Sequence, residues 1–308
     1  VELDDCEALR LATSDCRLVL LAATEVEAEP LLGALIAPES YTVATKKLFV
    51  GGLEVERSRD PEGLAAVIVR AALAISGCDK TNVAHALTCL LQAVKPKPVL
   101  VLQFGVGGAF PSAGRGAGAR VGDIVLATEE IYSDTGSSSP SGWLSAQDLG
   151  LPVACAGGRE SGGRFPLEEP LVRSAAALIQ TEAWPEPRPE VVTGPCVTAS
   201  RVTGLSAEGE ETAARWGAVA ESMEGAAAAH ICALYAVPFL EIRGISNLIL
   251  DRDRDSWEVE RGVAVAARAA LVVGAALDRL PLAASACPAA SAGPADAVAS
   301  PVPSADGI

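Results

Sequence analysis

Three runs of the chain are apolar with little or no alternation: CRLVLLAAT (16–24), the opening of KPVLVLQFGVGGAF (97–110) and VPFLEIRGIS (237–246). A strand with one face in water alternates polar and apolar residues, whereas a strand covered on both faces does not. Helical segments separate these runs: EVEAEPLLGAL after the first, an amphipathic stretch within 76–94, and the alanine-rich MEGAAAAHICALYA (223–236), where alanine loses no side-chain entropy on becoming helical. Further strands are predicted near 41–57, 65–75, 122–132 and 190–198, and further helices near 168–181, 205–216 and 258–280. Alternating buried strands and helices predict a single α/β domain with a twisted, mostly parallel central mixed sheet flanked by helices.

The domain is expected over 17–280. Residues 1–16 are acidic and weakly patterned and predict a loose extension. From 281 to 308 the chain has five prolines, no aromatic and no basic residue, which predicts a disordered Ala/Pro-rich tail. Residues 133–163, rich in Ser, Gly and Pro, read as a long loop, a lid or an interface.

A net charge of −15 and a pI near 4.6 exclude the basic footprint of a nucleic-acid binder. The eight cysteines form no CxxC pair, and only His85 and His230 accompany them, so no metal site and no cofactor is expected. No leader segment opens the sequence and no run of roughly 18 apolar residues occurs, which predicts a soluble, cytoplasmic protein that makes no contact with a membrane.

Two features suggest chemistry. Gly105, Gly107 and Gly108 end a buried strand, where backbone amides can approach a ligand, although the spacing is neither GxGxxG nor a P-loop. Glu27 follows the first strand and Glu224 opens the alanine-rich helix; ligands of parallel sheets gather beyond the strand carboxyl ends, where both glutamates can meet. Glu25 and Glu29 read as solvated helix-start charges and DRDRDSW (251–257) as a solvated loop. No GxSxG elbow is present. From composition and spacing alone, the reading ends at an α/β protein with an acidic, glycine-lined pocket.

Taken in order, Thr24-x-x-Glu27, QFGVGGAF (103–110), VGDIVLATEEIYSD (121–134), ESMEG (221–225) and VPFLEIRGISN (237–247) resemble the purine nucleoside phosphorylase and nucleosidase superfamily. LQFGVGGAF, EEIYSDTG, ESMEGAAAAH and RGISN are most similar to the futalosine hydrolase branch, which acts in menaquinone biosynthesis. The resemblance implies a nucleoside phosphorylase-like fold, a homo-oligomer, a small-molecule nucleoside substrate and cleavage of its N-ribosidic bond through an oxocarbenium-like transition state. By position it implies that Glu27 activates the attacking water, that Arg243 helps hold that water, that Glu224 accepts the ribose hydroxyls and that Met223 packs on the sugar. Gly105 and Gly107 let the backbone approach the substrate, and Ser246, Asn247 and Val202 lie at the base.

Two departures select within the superfamily. Asn247 stands where adenine-releasing nucleosidases carry an acid; an amide can accept from N7–H and donate to O6 of hypoxanthine. Gln103 and Val106 stand where phosphorylases carry arginine and serine, and neither can replace bidentate phosphate binding. The expectation is therefore hydrolysis of futalosine to hypoxanthine, with Arg252, Arg254, Arg159 and Arg164 as candidates for the carboxylate of the substrate. The rivals are an inosine-type phosphorylase, a methylthioadenosine/adenosylhomocysteine nucleosidase, and a nucleoside-binding or storage protein without turnover.

Overall fold

The computed structural model describes residues 6–43, 45–56, 66–111 and 118–282; the tail expected from 281 falls almost wholly outside them. The chain opens with a helix, α1 (Cys6–Ala12), β1 (Leu18–Ala22) and α2 (Glu25–Leu32), followed by β2 (Ile36–Val43), β3 (Lys46–Glu56) and β4 (Ala66–Ile75). Where a loose extension was expected, α1 packs on α3 (Lys80–Ala93) through buried Leu9, because an apolar face, even a short one, gains by covering a neighbour. The single strand expected near 41–57 is a hairpin of β2 and β3.

After α3 come β5 (Leu100–Ala109) and β6 (Ile124–Tyr132). The 133–163 segment is not one loop: β7 (Gly136–Ser139) pairs with β8 (Gly142–Ser145), and β9 (Ala154–Ala156) with β10 (Arg159–Ser161). Then follow β11 (Arg164–Pro166), α4 (Glu169–Thr181), β12 (Val191–Thr198), α5 (Ser206–Trp216), β13 (Ala220–Ser222), α6 (Gly225–Tyr235), β14 (Phe239–Leu248) and α7 (Val259–Ala275).

Ten strands form one mixed sheet. β4, β1, β5 and β14 are parallel neighbours, with the β3–β2 hairpin antiparallel at one edge. At the other end the sheet closes on itself: β14 pairs with both β5 and β6, and β6 returns to β5 through β12 and β13. Even-numbered residues of β5 (Leu100, Leu102, Phe104) pack toward α2, α4 and α7, while Val101 faces the side of α3 and α6. Gln103, Gly105 and Gly107 share the Val101 face by the two-residue period of a strand. On that face the core gives way to polar residues.

Candidate active site

The polar face opens into a pocket of about 450 Å3 at the carboxyl ends of β1, β5 and β14, a size that suits a small organic ligand. Glu27, Val202, Met223, Glu224, Arg243, Ser246, Asn247 and Gly107 line it. Gly105 does not; it lies beneath, where a Cβ would fall inside the Glu27 carboxylate and within 3.0 Å of Arg243 Nη1. Glycine is required at 105 for this close approach and not for contact with a ligand.

Glu27 is held by its own helix start. Thr24 is the N-cap of α2 and Glu27 closes a capping box with it: Glu27 Oε2 accepts from the Thr24 N–H and hydroxyl, each at 2.9 Å. Oε1 accepts from the Val106 N–H at 2.9 Å, tying α2 to the glycine turn. Glu27 is 5% exposed, yet one edge of its carboxylate still borders the pocket.

Arg243 is the largest fully buried side chain among the described residues. Its Nε and Nη2 donate to one oxygen of Glu241 at 2.9 and 2.6 Å, Nη2 reaches Glu224 at 3.3 Å, and Nη1 donates to the Val106 carbonyl at 3.1 Å. Burial lowers the guanidinium pKa, and the carboxylates of Glu241, Glu224 and Glu27 outweigh that and raise it. Glu224, the N-cap of α6, also accepts from the Asp79 N–H at 3.1 Å. Asp79 holds φ at 79°, a strained backbone that persists at a functional site when its surroundings fix it. Burial raises the Glu224 pKa, and Arg243 opposes the rise.

Ser246 and Asn247 are consecutive, and a regular strand would point them to opposite faces. The register of β14 against β5 slips between Ile245 and Asn247, and this bulge lets both line the pocket. Asn247 Oδ1 accepts from the Ser246 hydroxyl at 2.8 Å and its Nδ2 donates to the Leu248 carbonyl at 3.3 Å, leaving one acceptor lone pair and one N–H.

Glu221 and Trp257 were not legible as site residues. Glu221 lines the pocket and accepts from the Thr203 N–H and hydroxyl at 2.7 Å each, fixing the 201–205 loop; burial raises its pKa and the Thr203 bonds oppose this. Arg252 and Trp257, within the run read as a solvated loop, also line the pocket, with the guanidinium 4.8 Å from the ring centre. The carboxylates beside Arg252 are engaged elsewhere: Asp251 caps the Ser206 N–H and Asp253 the Asp255 N–H. Of the other arginines considered, Arg164 pairs with Glu129 outside the pocket and Arg254 lies 5.9 Å from Trp257; the Arg159 side chain is outside the described residues. Gln103 is fully buried and does not reach the pocket wall, whereas Val106 is part of it. His230 stacks on Phe165 at 5.0 Å away from the pocket, and burial lowers its pKa.

The family model described as Phosphorylase superfamily matches residues 17–280. The chain belongs to that superfamily. Among curated proteins, it is 31% identical to the futalosine hydrolase of Thermus thermophilus over 63% of this chain and 76% of that one. It is 34% identical to the futalosine hydrolase of Streptomyces coelicolor over 54% of this chain and 60% of that one, so less than two thirds of the latter is spanned. The 5′-methylthioadenosine/S-adenosylhomocysteine nucleosidase of Actinobacillus succinogenes is 27% identical over 75% of this chain and 85% of its own. The superfamily member's fold is shared with the solved nucleosidase of Neisseria meningitidis bound to methylthio-immucillin-A, at a TM-score of 0.66 and 21% identity over 85% of this chain and 99% of that one. No helix among the described residues is long and apolar enough to cross a membrane.

Proposed function

We propose that this protein is an N-glycosyl hydrolase that cleaves futalosine with water, releasing hypoxanthine and dehypoxanthine futalosine. The observation that carries the choice of base is the Asn247 amide, brought into the pocket by the β14 bulge with one acceptor and one donor to spare. A 6-oxopurine that leaves protonated at N7 offers the complementary N7–H and O6. Leaving either partner unmatched would cost on the order of 1–3 kcal/mol.

Water as nucleophile follows from the charges. Around the glycine turn, Glu27, Glu221 and Glu224 face the pocket, and Arg243, the cation at their centre, is already committed to Glu241 and Glu224. A phosphate dianion would enter a field of its own sign. A water between Glu27 and C1′ would instead pass its proton to the carboxylate as its oxygen bonds to C1′ and the C–N bond breaks, the departing base takes up a proton at N7 from solvent, and positive charge on the ribose is stabilised by the same carboxylates. Glu224 is placed to accept the ribose hydroxyls and Met223 to pack on the sugar. Arg252, stacked on Trp257 where the pocket wall is otherwise apolar, is the cation we assign to the carboxylate of the substrate.

A second reading has support of its own: relatives named 5′-methylthioadenosine/S-adenosylhomocysteine nucleosidases align over more of the chain. One experiment separates the two. Base release is followed by chromatography from futalosine, inosine, methylthioadenosine and adenosylhomocysteine, each with and without phosphate. Hypoxanthine from futalosine, at a rate indifferent to phosphate, supports the proposal. Adenine release, or a requirement for phosphate, overturns the branch chosen.

A further inference from the structure

Behind Arg243, away from the pocket, lies a group of buried polar atoms that the reaction does not use. Glu130 and Glu241 are both fully buried and within hydrogen-bonding reach of each other. Gly225 opens α6 directly above them, and a Cβ there would fall inside both carboxylates, so helix backbone seals them from solvent. Among the described residues, Glu130 Oε1 and Glu241 Oε2 have no hydrogen-bond partner of the usual kind, and neither does the amide of Gln103, which the register sets beside Glu241 on the neighbouring strand. Buried polar atoms are almost always satisfied, so this group calls for an explanation.

We infer that Glu130 and Glu241 share one proton, carried by Glu130, and that the resulting singly charged pair is the device that holds Arg243 in position. Glu241 is the ionised member because its Oε1 already accepts two guanidinium donors. Glu130 accepts only a 3.4 Å contact from the Thr198 hydroxyl and has no cation of its own, so it is the one that must be neutral. Burial, then the Glu241 charge, push Glu130 well above the usual carboxylate range, in keeping with the geometry. The proton turns two repelling acceptors into a donor and an acceptor. Were both ionised, a second buried negative charge would draw the guanidinium away from Glu224 and the pocket. The Cys196 thiol lies near both carboxylates, and burial, then Glu130 and Glu241, push it well above the usual thiol range. Glu130 and Glu241 are thus positioning residues, acting on the ligand only through Arg243.

The inference rests on the proposed reaction only in its kinetic arm. In infrared difference spectra of the folded wild-type protein at neutral pH, an isotope-sensitive band of a protonated carboxyl group is expected, and E130Q should abolish it. No substrate enters this measurement, so it stands even if futalosine is the wrong nucleoside. In the kinetic arm, Glu241→Gln removes the charge that Arg243 needs, whereas Glu130→Gln keeps a neutral hydrogen-bond donor at 130. E241Q should therefore lose at least about tenfold more kcat than E130Q, with KM moving little in either. Absence of the carboxyl band, its persistence in E130Q, or equal losses in the two variants would overturn the inference.

Discussion

Arg243 and Glu241 are two residues apart on one strand, and two nitrogens of the first converge on a single oxygen of the second. The i, i+2 spacing puts both on the same face of β14, so the strand carries its own ion pair into the pocket floor. Removing one partner of a buried pair leaves the other uncompensated. Arg243→Ala should destabilise the fold by about 3–5 kcal/mol, read by urea unfolding. Arg243→Lys should not restore activity, since one ammonium cannot address Glu241, Glu224 and the Val106 carbonyl together.

Glu27→Gln keeps a polar group within the capping box but removes the base. Turnover is expected to fall by roughly 10²–10⁴, while hypoxanthine still binds, as isothermal titration would register. Unchanged turnover would remove Glu27 from the mechanism.

Asn247→Asp replaces the spare amide donor with an acceptor or an acid. The ratio of kcat/KM for futalosine to that for methylthioadenosine should drop on the order of 10–100-fold. A ratio that stays put means the base is read elsewhere.

Arg252→Ala should raise KM for futalosine several-fold and leave KM for inosine, which carries no carboxylate, within about twofold; a double comparison of this kind isolates the single contact. Equal changes for both nucleosides would assign Arg252 to loop structure alone.

Stability should depend on pH through Glu130. Its pKa is higher in the folded chain than in the unfolded one, so the folded state retains a proton that the unfolded chain has released once the pH passes the ordinary carboxylate range. Rising pH therefore favours unfolding, by up to about 1.4 kcal/mol per pH unit for one group. Glu241, Arg243, Cys196 and Tyr132 are the ionisable groups coupled to it. Glu221 and Glu224, also raised, act in the same direction. E130Q should flatten the slope of unfolding free energy above the ordinary carboxylate range by up to one proton's worth. An unchanged slope would show that Glu130 is ionised in the folded protein.

The parts of the site legible in the sequence are those set by where elements begin and end. Glu27 and Glu224 stand at helix starts, and the glycine turn ends a strand, so alternation of elements alone brings them together. What escaped depends on tertiary burial. Glu241 sits in a run that reads as buried strand, and a carboxylate two residues before an arginine in such a run was the available signal for an internal ion pair. Trp257 escaped because the charges around it read as solvent, yet Asp251 and Asp253 cap backbone amides and leave the ring and Arg252 for the pocket. Gln103 was read by position against a phosphate site, but strand period places it one step below the pocket wall. The hairpins within 133–163 escaped for a different reason: their strands are three or four residues long and rich in Ser and Gly, with too little hydrophobic pattern to count.

The strand that closes the ring, β14, comes after every other strand in the chain, and it carries Arg243, Ser246 and Asn247. On the ribosome, a nascent chain that has reached the end of α6 already holds Glu27, the glycine turn and Glu224. Its β5 and β6, however, each present an unpaired edge. That intermediate is at once inactive and adhesive. Adding one ten-residue strand covers those edges and delivers Arg243, Ser246 and Asn247 to the pocket in the same event.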